Sequence, residues 1–336
     1  MKKIKDLKNI VLLVLSIFFV FIIYILIARC NNAKPNENTK HVLNENTKKT
    51  TEEDINLKYV PIVISTNNNY IYPAVVSMTS LLENSDKSVF YKIHVFVSNE
   101  FSEKNKDKLL WLETKYKNCC LEFVDMKNMF NDAFVSGHVT KETYFRLKIP
   151  SILSEEKKCI YLDVDTIISK DLYELYSFNI EKYYIAGVPD RIRGIKDKER
   201  ENNLGVPLNR YINAGVLLFN LEKCRVSNIE MQFEKFINER KEISLHDQDT
   251  INAVCYDGIF DLPFKFNVQL CCDLSNESPK GVIKKEWDEG IENPVIIHYP
   301  GTKPWNSLTW YATKWWVYAK HTPYIEEIRL KYKHSH

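Results

Sequence analysis

The sequence has few glycines and lacks the glycine-rich motifs of common nucleotide-binding proteins. Only 9 of its 336 residues are glycine, and neither GxGxxG nor GxxxxGK[ST] occurs. The first absence argues against a Rossmann-type dinucleotide site, and the second argues against a P-loop. So small a glycine content also excludes a glycine-rich repeat protein.

A strong net charge is absent as well. The chain has 46 basic and 44 acidic residues, a balance of +2. Residues 1–57 hold 9 basic and 6 acidic residues, so residues 58–336 hold 37 and 38, a balance of −1. A body this close to neutral has no bulk electrostatic attraction for nucleic acid, and no nucleic-acid partner is expected.

The eight cysteines show neither a zinc-binding spacing nor a disulfide framework. No CxxC motif occurs, and the adjacent pairs at 119–120 and 271–272 are awkward for ordinary bridges. Cys159 lies within an apolar run, where a free cysteine behaves as a small hydrophobic residue. We therefore expect mostly buried free thiols, which mildly favours a reducing compartment.

A long apolar run, 10–28, follows a short basic tail, 1–9. The run has 19 residues and is broken only by Ser16. As a helix it would span about 28 Å, close to the thickness of a bilayer core. A signal peptide has a shorter apolar region of about 7–15 residues, and Arg29 stands where its cleavage site would need a small residue. The run predicts an uncleaved single-pass transmembrane anchor, with a long-cored signal peptide as the alternative.

Residues 29–57 are polar and rich in Asn, Thr, Lys and Glu, which predicts a flexible stem. Four basic residues precede the apolar run and five lie in the stem, so the positive-inside bias is weak. The tighter cluster before the run favours a cytoplasmic N-terminus. The side of the membrane on which residues 58–336 lie stays open: the cytoplasmic face if the protein is bacterial, or the Golgi lumen if it is eukaryotic.

The remaining residues, 58–336, alternate between strand and helix patterns. Apolar, often β-branched runs predict strands at 59–65, 91–97, 121–124, 159–162, 184–188, 213–219 and 294–298. Helical spacing of apolar residues predicts helices at 72–82, 103–115, 141–153, 221–239 and 246–256. This alternation predicts an α/β fold with a mostly parallel sheet flanked by helices, and ligands gather at the carboxyl ends of such strands.

Two carboxylates follow the apolar strand at 159–162. Asp163 and Asp165 are two residues apart, so in extended backbone they share a face. Two like charges this close repel unless a proton or a cation lies between them, and hard divalent cations prefer oxygen ligands. A pair of solvated acids at a strand end is the alternative, which the apolar strand before them disfavours.

Phosphatases of the haloacid dehalogenase class also place a DxD motif after an apolar strand. In that class Thr or Val usually stands four residues after the first Asp, whereas this chain has Ile167. The downstream acidic motif of the class is missing. The DxD motif usually opens the domain in that class, whereas here it begins only at residue 163. The phosphatase interpretation is therefore disfavoured.

Six blocks in chain order resemble glycosyltransferase family 8. They are ISTNNNY at 64–70, TYFRL at 143–147, YLDVD at 161–165, NAGVLLFN at 213–220, DQDTIN at 247–252 and HYPGTKPW at 298–305. Six ordered blocks are far more specific than one motif. The resemblance implies a GT-A (Rossmann-like) fold over about residues 59–306 and transfer with retention of the sugar's anomeric configuration.

The resemblance also implies the site residues. Asp163, Asp165 and His298 would bind Mn²⁺ or Mg²⁺ on the diphosphate of a UDP-sugar donor. The implied donor-binding residues are Thr66, Asn67, Asn69, Tyr70, Asp163, Val164, Asp190, Asn213, Ala214, Gly301 and Lys303. The first-strand loop would hold the uridine, although it carries Asn67 and Asn68 where the family commonly has acids.

The implied catalytic residues are Arg146, Asp247 and Gln248. Gln248 stands where the family places a side chain at the reacting face of the sugar. An amide is a poor nucleophile, so we favour front-face attack, with Gln248 stabilising positive charge through its carbonyl dipole. A covalent double displacement is the alternative, and sequence alone does not decide between them.

The segment 305–336 contains four of the six tryptophans, interleaved with tyrosines and basic residues. Such a segment suits a membrane interface, or a C-terminal helix whose aromatic side chains pack on the body.

The sequence as a whole predicts a membrane-anchored, metal-dependent hexosyltransferase that moves galactose or glucose from a UDP-sugar to a glycan or glycolipid. The alternatives are transfer to a protein acceptor and an inactive sugar-nucleotide-binding protein. The intact set of Asp163, Asp165 and His298 argues against the inactive protein.

Overall fold

The structure is a computed structural model that describes residues 58–127, 129–130, 141–240, 245–269, 282–307 and 311–332. Val60–His336 forms one compact unit. Residues 1–59 form a second unit, of which only Lys58 and Tyr59 are described. The predicted anchor and stem therefore lie outside the described residues. Within the described part of the chain, no helix is both long and apolar enough to cross a bilayer.

The described residues form ten strands and eleven α-helices. The strands are β1 Lys58–Ser65, β2 Val89–Val97, β3 Cys119–Asp125, β4 Lys158–Leu162, β5 Thr166–Ile168, β6 Ile185–Pro189, β7 Ile212–Asn220, β8 Ile259–Asp261, β9 Val268–Gln269 and β10 Ile296–His298. The helices are α1 Ile71–Glu83, α2 Glu103–Lys115, α3 Ile149–Ile152, α4 Tyr173–Tyr176, α5 Lys198–Leu204, α6 Leu221–Val226, α7 Ile229–Asn238, α8 His246–Val254, α9 Lys284–Glu292, α10 Ala312–Lys320 and α11 Ile325–Lys331. Short 3₁₀ helices occur at Lys141–Lys148, Leu208–Arg210, Tyr256–Gly258 and Phe264–Phe266.

Seven strands form the main sheet, in the order β3-β2-β1-β4-β7-β6-β8. The pairs β2–β3, β1–β4 and β6–β8 are parallel, while β7 runs antiparallel to both β4 and β6. The predicted α/β fold with a mostly parallel sheet is therefore confirmed. Most strand residues are buried on both faces, as expected when helices cover both sides of a sheet.

A second, three-stranded sheet has the order β5-β10-β9 and was not predicted. β10 lies within the strand predicted at 294–298, whereas β5 and β9 have only three and two residues, too few to show a periodic pattern. β10 runs antiparallel to β5 and pairs His298 with Thr166. This small sheet therefore carries the C-terminal motif back to the end of β4, where the DxD motif begins.

Two predicted helices differ in detail. The single helix expected at 221–239 is two helices, α6 and α7, separated by Asn228, whose φ of +49° is not helical. Asn tolerates this left-handed conformation better than most residues. The helix expected at 141–153 is mainly a 3₁₀ helix that continues into α3, whose second residue is Pro150.

The five described cysteines, Cys119, Cys120, Cys159, Cys224 and Cys255, are buried free thiols, as predicted. Burial raises the pKa of the Cys159 thiol well above its usual value, so this group stays protonated and acts as a small apolar residue.

The C-terminal aromatic residues pack on the body, as the second interpretation of this segment predicted. Trp305 and Trp315 are buried, and their ring centroids lie 5.2 Å apart. Tyr332 lies against both tryptophan rings. On α11, Glu327 accepts hydrogen bonds from Lys108 of α2 and from Tyr72 of α1, which fastens the last helix to the N-terminal half of the fold.

Candidate metal and donor site

Three side chains with metal-ligating atoms converge where the two sheets meet. Asp163 and Asp165 follow β4, and His298 ends β10. One potential ligand atom from each of the three residues lies within 4.8 Å of the others. Nε2 of His298 is 3.4 Å from Oδ1 of Asp165 and 3.8 Å from Oδ2 of Asp163. The structure thus brings together all three residues of the predicted metal set.

Gly215 of β7 makes this convergence possible. A Cβ atom at this position would lie 2.2 Å from Cε1 of His298 and 2.9 Å from Oδ2 of Asp163, both too close for carbon. Only glycine lets the imidazole approach the backbone of β7 so closely. Sequence analysis included Gly215 in a family block but gave it no role in the site.

Asp163 is oriented by two hydrogen bonds to its Oδ1. Nη2 of Arg146 donates at 2.8 Å and the hydroxyl of Tyr161 donates at 2.9 Å. The Arg146 guanidinium lies over the Tyr161 ring, 4.2 Å from its centroid. Because both partners hold Oδ1, Oδ2 is left directed toward His298.

Asp165 is paired with Lys303. Nζ of Lys303 donates to Oδ2 of Asp165 and, at 2.7 Å, to the carbonyl of Tyr299. Burial alone would lower the pKa of Lys303, but the neighbouring carboxylate of Asp165 outweighs it and the pKa is raised. Lys303 is therefore a fixed positive charge beside the candidate metal site.

Arg146 also connects the metal side of the site to Asp247 of α8. Nε of Arg146 lies 2.9 Å from Oδ2 of Asp247, yet its N–H points at the carbonyl of Thr143 at 3.0 Å. Among the described residues, Oδ2 of Asp247 consequently accepts no hydrogen bond. Burial raises the pKa of Asp247 to about 7, although the Arg146 charge opposes the shift.

A second group of predicted residues forms a cluster of amides around Asp190. Nδ2 of Asn213 donates to Oδ2 of Asp190 at 3.1 Å and to Oε1 of Gln248 at 3.2 Å. The backbone N–H of Ala214 donates to the same oxygen of Gln248 at 2.9 Å. The carbonyl of Gln248 therefore faces protein groups, and the dipole role predicted for it would require the amide to turn.

His298 has a buried partner that sequence analysis missed. Nδ1 of His298 lies 3.0 Å from Oδ1 of Asn267, which is fully buried. Nδ2 of Asn267 in turn donates to Oδ1 of Asn213 at 2.9 Å. Asn267 lies between a 3₁₀ helix and β9, in a stretch without a strong pattern, so the sequence offered no signal for it.

The first-strand loop, residues 66–70, follows β1. The hydroxyl of Thr66 is buried and has no partner among the described residues. Oδ1 of Asn67 accepts the backbone N–H groups of Asn69 and Tyr70, which closes a tight turn. Burial raises the pKa of Tyr70, whose ring packs edge-on against Trp305.

The two asparagines that replace acids in this loop are both used within the protein. Nδ2 of Asn67 donates to Glu142 at 3.2 Å. Asn68 donates to the carbonyl of Glu100 and accepts from Ser102 and Asn105 of the segment that starts α2. Asn68 is thus occupied with the loop before α2.

Two other predicted donor-binding residues occupy different environments. Val164 is buried in the core between the two aspartates, so its side chain is shielded from solvent. Gly301 is exposed on the turn between His298 and Lys303.

A mostly parallel α/β sheet with an Asp-Asp-His cluster at its edge is the arrangement of a GT-A glycosyltransferase. The family model described as Glycosyl transferase family 8 matches residues 61–309. The chain therefore belongs to glycosyltransferase family 8 and is a glycosyltransferase.

Individual relatives agree with this assignment. General stress protein A of Bacillus subtilis is 32% identical over 256 residues, which cover 74% of this chain and 88% of the relative. The protein named lipopolysaccharide glucosyltransferase WaaO of Escherichia coli is 24% identical over 257 residues, or 74% of this chain and 73% of the relative.

Solved structures share the fold. The bifunctional glycosyltransferase WbbM superposes with a TM-score of 0.71 and 26% identity, over 83% of this chain and 52% of that one. This chain thus spans about half of WbbM. The galactosyltransferase LgtC, solved with donor and acceptor sugar analogues, gives a TM-score of 0.67 at 22% identity, over 81% of this chain and 100% of that chain.

Proposed function

We propose that this glycosyltransferase is a metal-dependent, retaining hexosyltransferase that moves galactose or glucose from a UDP-sugar to a glycan or glycolipid. The observation that carries the proposal is the convergence of Asp163, Asp165 and His298 on one point. Beside that point lie a positive charge, on Lys303, and a cluster of amides and carboxylates suited to sugar hydroxyls.

The residues present fit a hard divalent cation. Two carboxylate oxygens and one imidazole nitrogen are ligands that Mn²⁺ and Mg²⁺ accept. Gly215 leaves room for the imidazole, and Arg146 and Tyr161 hold one oxygen of Asp163 so that the other faces the site. When bound, such an ion supplies Lewis-acid stabilisation of the negative charge that grows on a departing diphosphate.

The chain's own charges would assist the same departure. Lys303 would move its ammonium group from Asp165 alone to a position shared with the donor phosphates, where positive charge matters most as the C1–O bond breaks. Its position on the turn after β10, where 18% of the side chain is exposed, supports this role. Gly301, on the same turn, would allow phosphate oxygens to approach the backbone.

The sugar would lie over the second cluster. Asp190, Asn213 and Asp247 offer carboxylate and amide groups for hydroxyls, and Arg146 holds Asp247 in place. Because position 248 carries an amide, which is a poor nucleophile, we propose front-face displacement. The leaving phosphate oxygen would accept the proton of the acceptor hydroxyl, and Gln248 would keep Asp190 and Asn213 in register.

The uridine would lie at the first-strand loop. The buried hydroxyl of Thr66 lacks a partner among the described residues, and such a group is usually satisfied by a ligand or water. Tyr70 would offer its ring, and Asn67 and Asn69 would offer amides. The use of Asn68 within the protein leaves the loop with fewer free polar groups than the motif alone suggests.

The acceptor class is suggested by a relative. WaaO is named a lipopolysaccharide glucosyltransferase, which supports transfer of a hexose to a glycolipid. A membrane anchor at 10–28 followed by the stem at 29–57 would hold the catalytic unit near such an acceptor. We propose this arrangement because the 19-residue apolar run at 10–28 is long enough to span a bilayer core as a helix.

The function is tested by measuring UDP release from the full-length chain in detergent. UDP-galactose and UDP-glucose are each incubated with Mn²⁺, with Mg²⁺ or with EDTA. We expect UDP release with one of these sugars that depends on the metal, and first-formed free sugar in the α configuration of the donor. UDP-sugar binding without release would instead indicate an inactive binding protein, and first-formed β-sugar would overturn retention.

A further inference from the structure

A buried line of amides connects the sugar side of the site to the metal side. It runs from Gln248 through Asn213 and Asn267 to His298, with heavy-atom distances of 3.2, 2.9 and 3.0 Å. The last three residues are at most 5% exposed. We propose that Asn267 is a positioning residue that holds His298 in the tautomer with its proton on Nδ1. This inference rests on the metal-dependent function proposed above.

The direction of the hydrogen bonds in this line is set by the backbone. The N–H of Gly215, which can only donate, points at Oδ1 of Asn213 at 3.0 Å. That oxygen also faces Asn267, so Asn267 must present its NH₂ group to Asn213. Its own oxygen is then turned toward Nδ1 of His298, and an oxygen can only accept. Nδ1 must therefore carry the proton.

A second backbone N–H fixes the orientation of the Gln248 amide, at the other end of the line. The N–H of Ala214 points at Oε1 of Gln248, so the oxygen of that amide also faces the line. Asn213 must then offer its NH₂ group to Gln248 and its oxygen to Gly215 and Asn267. Both backbone donors give the same orientation for Asn213, which removes the usual ambiguity of amide placement.

The tautomer matters because Nε2 faces two carboxylates. Asp165 and Asp163 lie 3.4 and 3.8 Å from this nitrogen, and by themselves they favour a proton on Nε2. A proton there would block metal binding, since a ligating imidazole nitrogen must offer its lone pair. Asn267 opposes this preference because its Oδ1 accepts a hydrogen bond from the N–H at Nδ1, and this bond also fixes the plane of the ring.

The test compares Asn267→Leu with a matched control, Gln269→Met. Gln269 is a buried amide on the adjoining strand β9 that donates to the carbonyl of Pro189 and takes no part in the line. Metal-free full-length protein with ¹⁵N-labelled histidine is studied by NMR at a pH where the imidazole is neutral. Mn²⁺ alone is then titrated into each variant and followed by electron paramagnetic resonance.

In the wild type and Gln269→Met, we expect the ¹⁵N shifts of His298, assigned by their loss in His298→Gln, to show a protonated Nδ1. In Asn267→Leu the proton should move to Nε2 and Mn²⁺ affinity should fall by about 10- to 100-fold, as is usual when an outer-shell partner is removed. Asn267→Asp keeps an acceptor at Nδ1 and should restore the tautomer, which a merely structural role would not do.

Three results would overturn the proposal: a proton on Nε2 in the wild type, an unchanged tautomer in Asn267→Leu, or an equal loss of Mn²⁺ affinity in Gln269→Met. If Asn267→Leu fails to fold, the wild type and Asn267→Asp still decide. The tautomer is read without any turnover, so a protein with Nδ1–H on His298 but no metal-dependent UDP release would contradict the proposed function and leave the positioning role standing.

Discussion

The metal edge, formed by Asp163, Asp165 and His298, and the first-strand loop, residues 66–70, lie side by side in the site but are held in different ways. At the metal edge, Asp165 and His298 are buried, and the supporting hydrogen bonds include those of the buried Arg146, Tyr161 and Asn267. In the loop, Asn68 and Asn69 are exposed. Its supports reach far along the chain: Asn68 bonds to the segment before α2, and the carbonyl of Asn69 accepts a hydrogen bond from Lys331 of the last helix.

This difference separates a preorganised part of the site from an adjustable one. Asp163 and His298, two of the candidate metal ligands, are held by the buried groups of Arg146, Tyr161 and Asn267, so they need little reorganisation when charge develops. The loop is fastened by surface contacts that cost little to break. We expect damage at the metal edge to abolish chemistry and damage around the loop to alter donor affinity only.

The largest effect is expected from Asp165→Asn. The substitution removes a charged ligand and leaves Lys303 without its carboxylate partner. UDP release should fall by more than about a hundredfold, because even outer-shell losses at metal sites cost about 10- to 100-fold. The measurement is initial-rate UDP release at saturating Mn²⁺.

Asp171→Asn is the matched control for that substitution. Asp165 immediately precedes β5, whereas Asp171 lies shortly after this strand and accepts hydrogen bonds from Tyr91 and from the backbone of Asp86, away from the metal edge. This variant should lose some stability and keep its turnover per folded molecule. Near wild-type turnover in Asp165→Asn would show that Asp165 is not a metal ligand.

The next effect is expected from Gly215→Ala. The added methyl group would collide with the imidazole of His298, which must then move off β7. Overpacking of this kind costs about 1–3 kcal/mol of stability, and Mn²⁺ affinity should fall together with UDP release. Stability is measured by thermal unfolding, and Mn²⁺ affinity is measured by titration.

Gly205→Ala is the control variant, because it adds backbone strain without disturbing the candidate metal site. Gly205 ends α5 with a φ of +77°, and the nearest atom to an added Cβ would be 3.7 Å away. It should cost about 1 kcal/mol through backbone strain and leave Mn²⁺ affinity unchanged. If Gly215→Ala behaved like Gly205→Ala, the close approach of His298 would have no part in metal binding.

The sequence predicted the metal edge far better than its supports. Asp163 and Asp165 were visible because a DxD motif follows an apolar strand, and His298 because it begins a family block. Asn267 was invisible because a single buried amide produces no periodic pattern. Its role depends on the pairing of β10, which the sequence predicts, with β9, which has only two residues and leaves no detectable pattern.

For the first-strand loop, the sequence revealed the residues but not the residues that they contact. Its block was recognised, yet the side-chain partners of Asn67 and Asn68 outside the loop come from residues 32 to 75 positions away. The missed break at Asn228 has a local cause instead, because apolar spacing continues across the kink and hides it. Long strands and regular helices follow from local patterns, whereas cross-chain hydrogen bonds follow only from the folded topology.

A pH effect on stability is expected from Asp247. Its pKa rises from 3.8 to about 7 on folding because the group is buried, so between these values the folded state holds a proton that the unfolded state has lost. The stability from this proton is complete below the unfolded pKa and is lost as the pH rises toward 7. Asp247→Asn, a permanently uncharged mimic, should lack this component.

The check is denaturant unfolding of both metal-free proteins at several pH values. Between pH 4 and 7 the free energy of unfolding of the wild type should fall relative to that of Asp247→Asn, by on the order of 1 kcal/mol or more. A difference between the two proteins that stays constant or grows in favour of the wild type would mean that Arg146 keeps Asp247 ionised throughout.

The smallest effect is expected from Lys331→Met, which tests the support of the first-strand loop. Nζ of Lys331 donates to the carbonyl of Asn69 at 2.6 Å and lies 5.4 Å from the centroid of the Tyr72 ring, so it links α11 to the loop and to α1. Because the contact is exposed, its loss should raise the KM for the UDP-sugar by only about threefold, with kcat and Mn²⁺ affinity unchanged. Arg329→Met removes a cation from the same helix that pairs with Glu326 instead, and it should change neither parameter. A fall in kcat in Lys331→Met alone would mean that the loop takes part in the chemical step, and the contrast between a rigid metal edge and an adjustable loop would then fail.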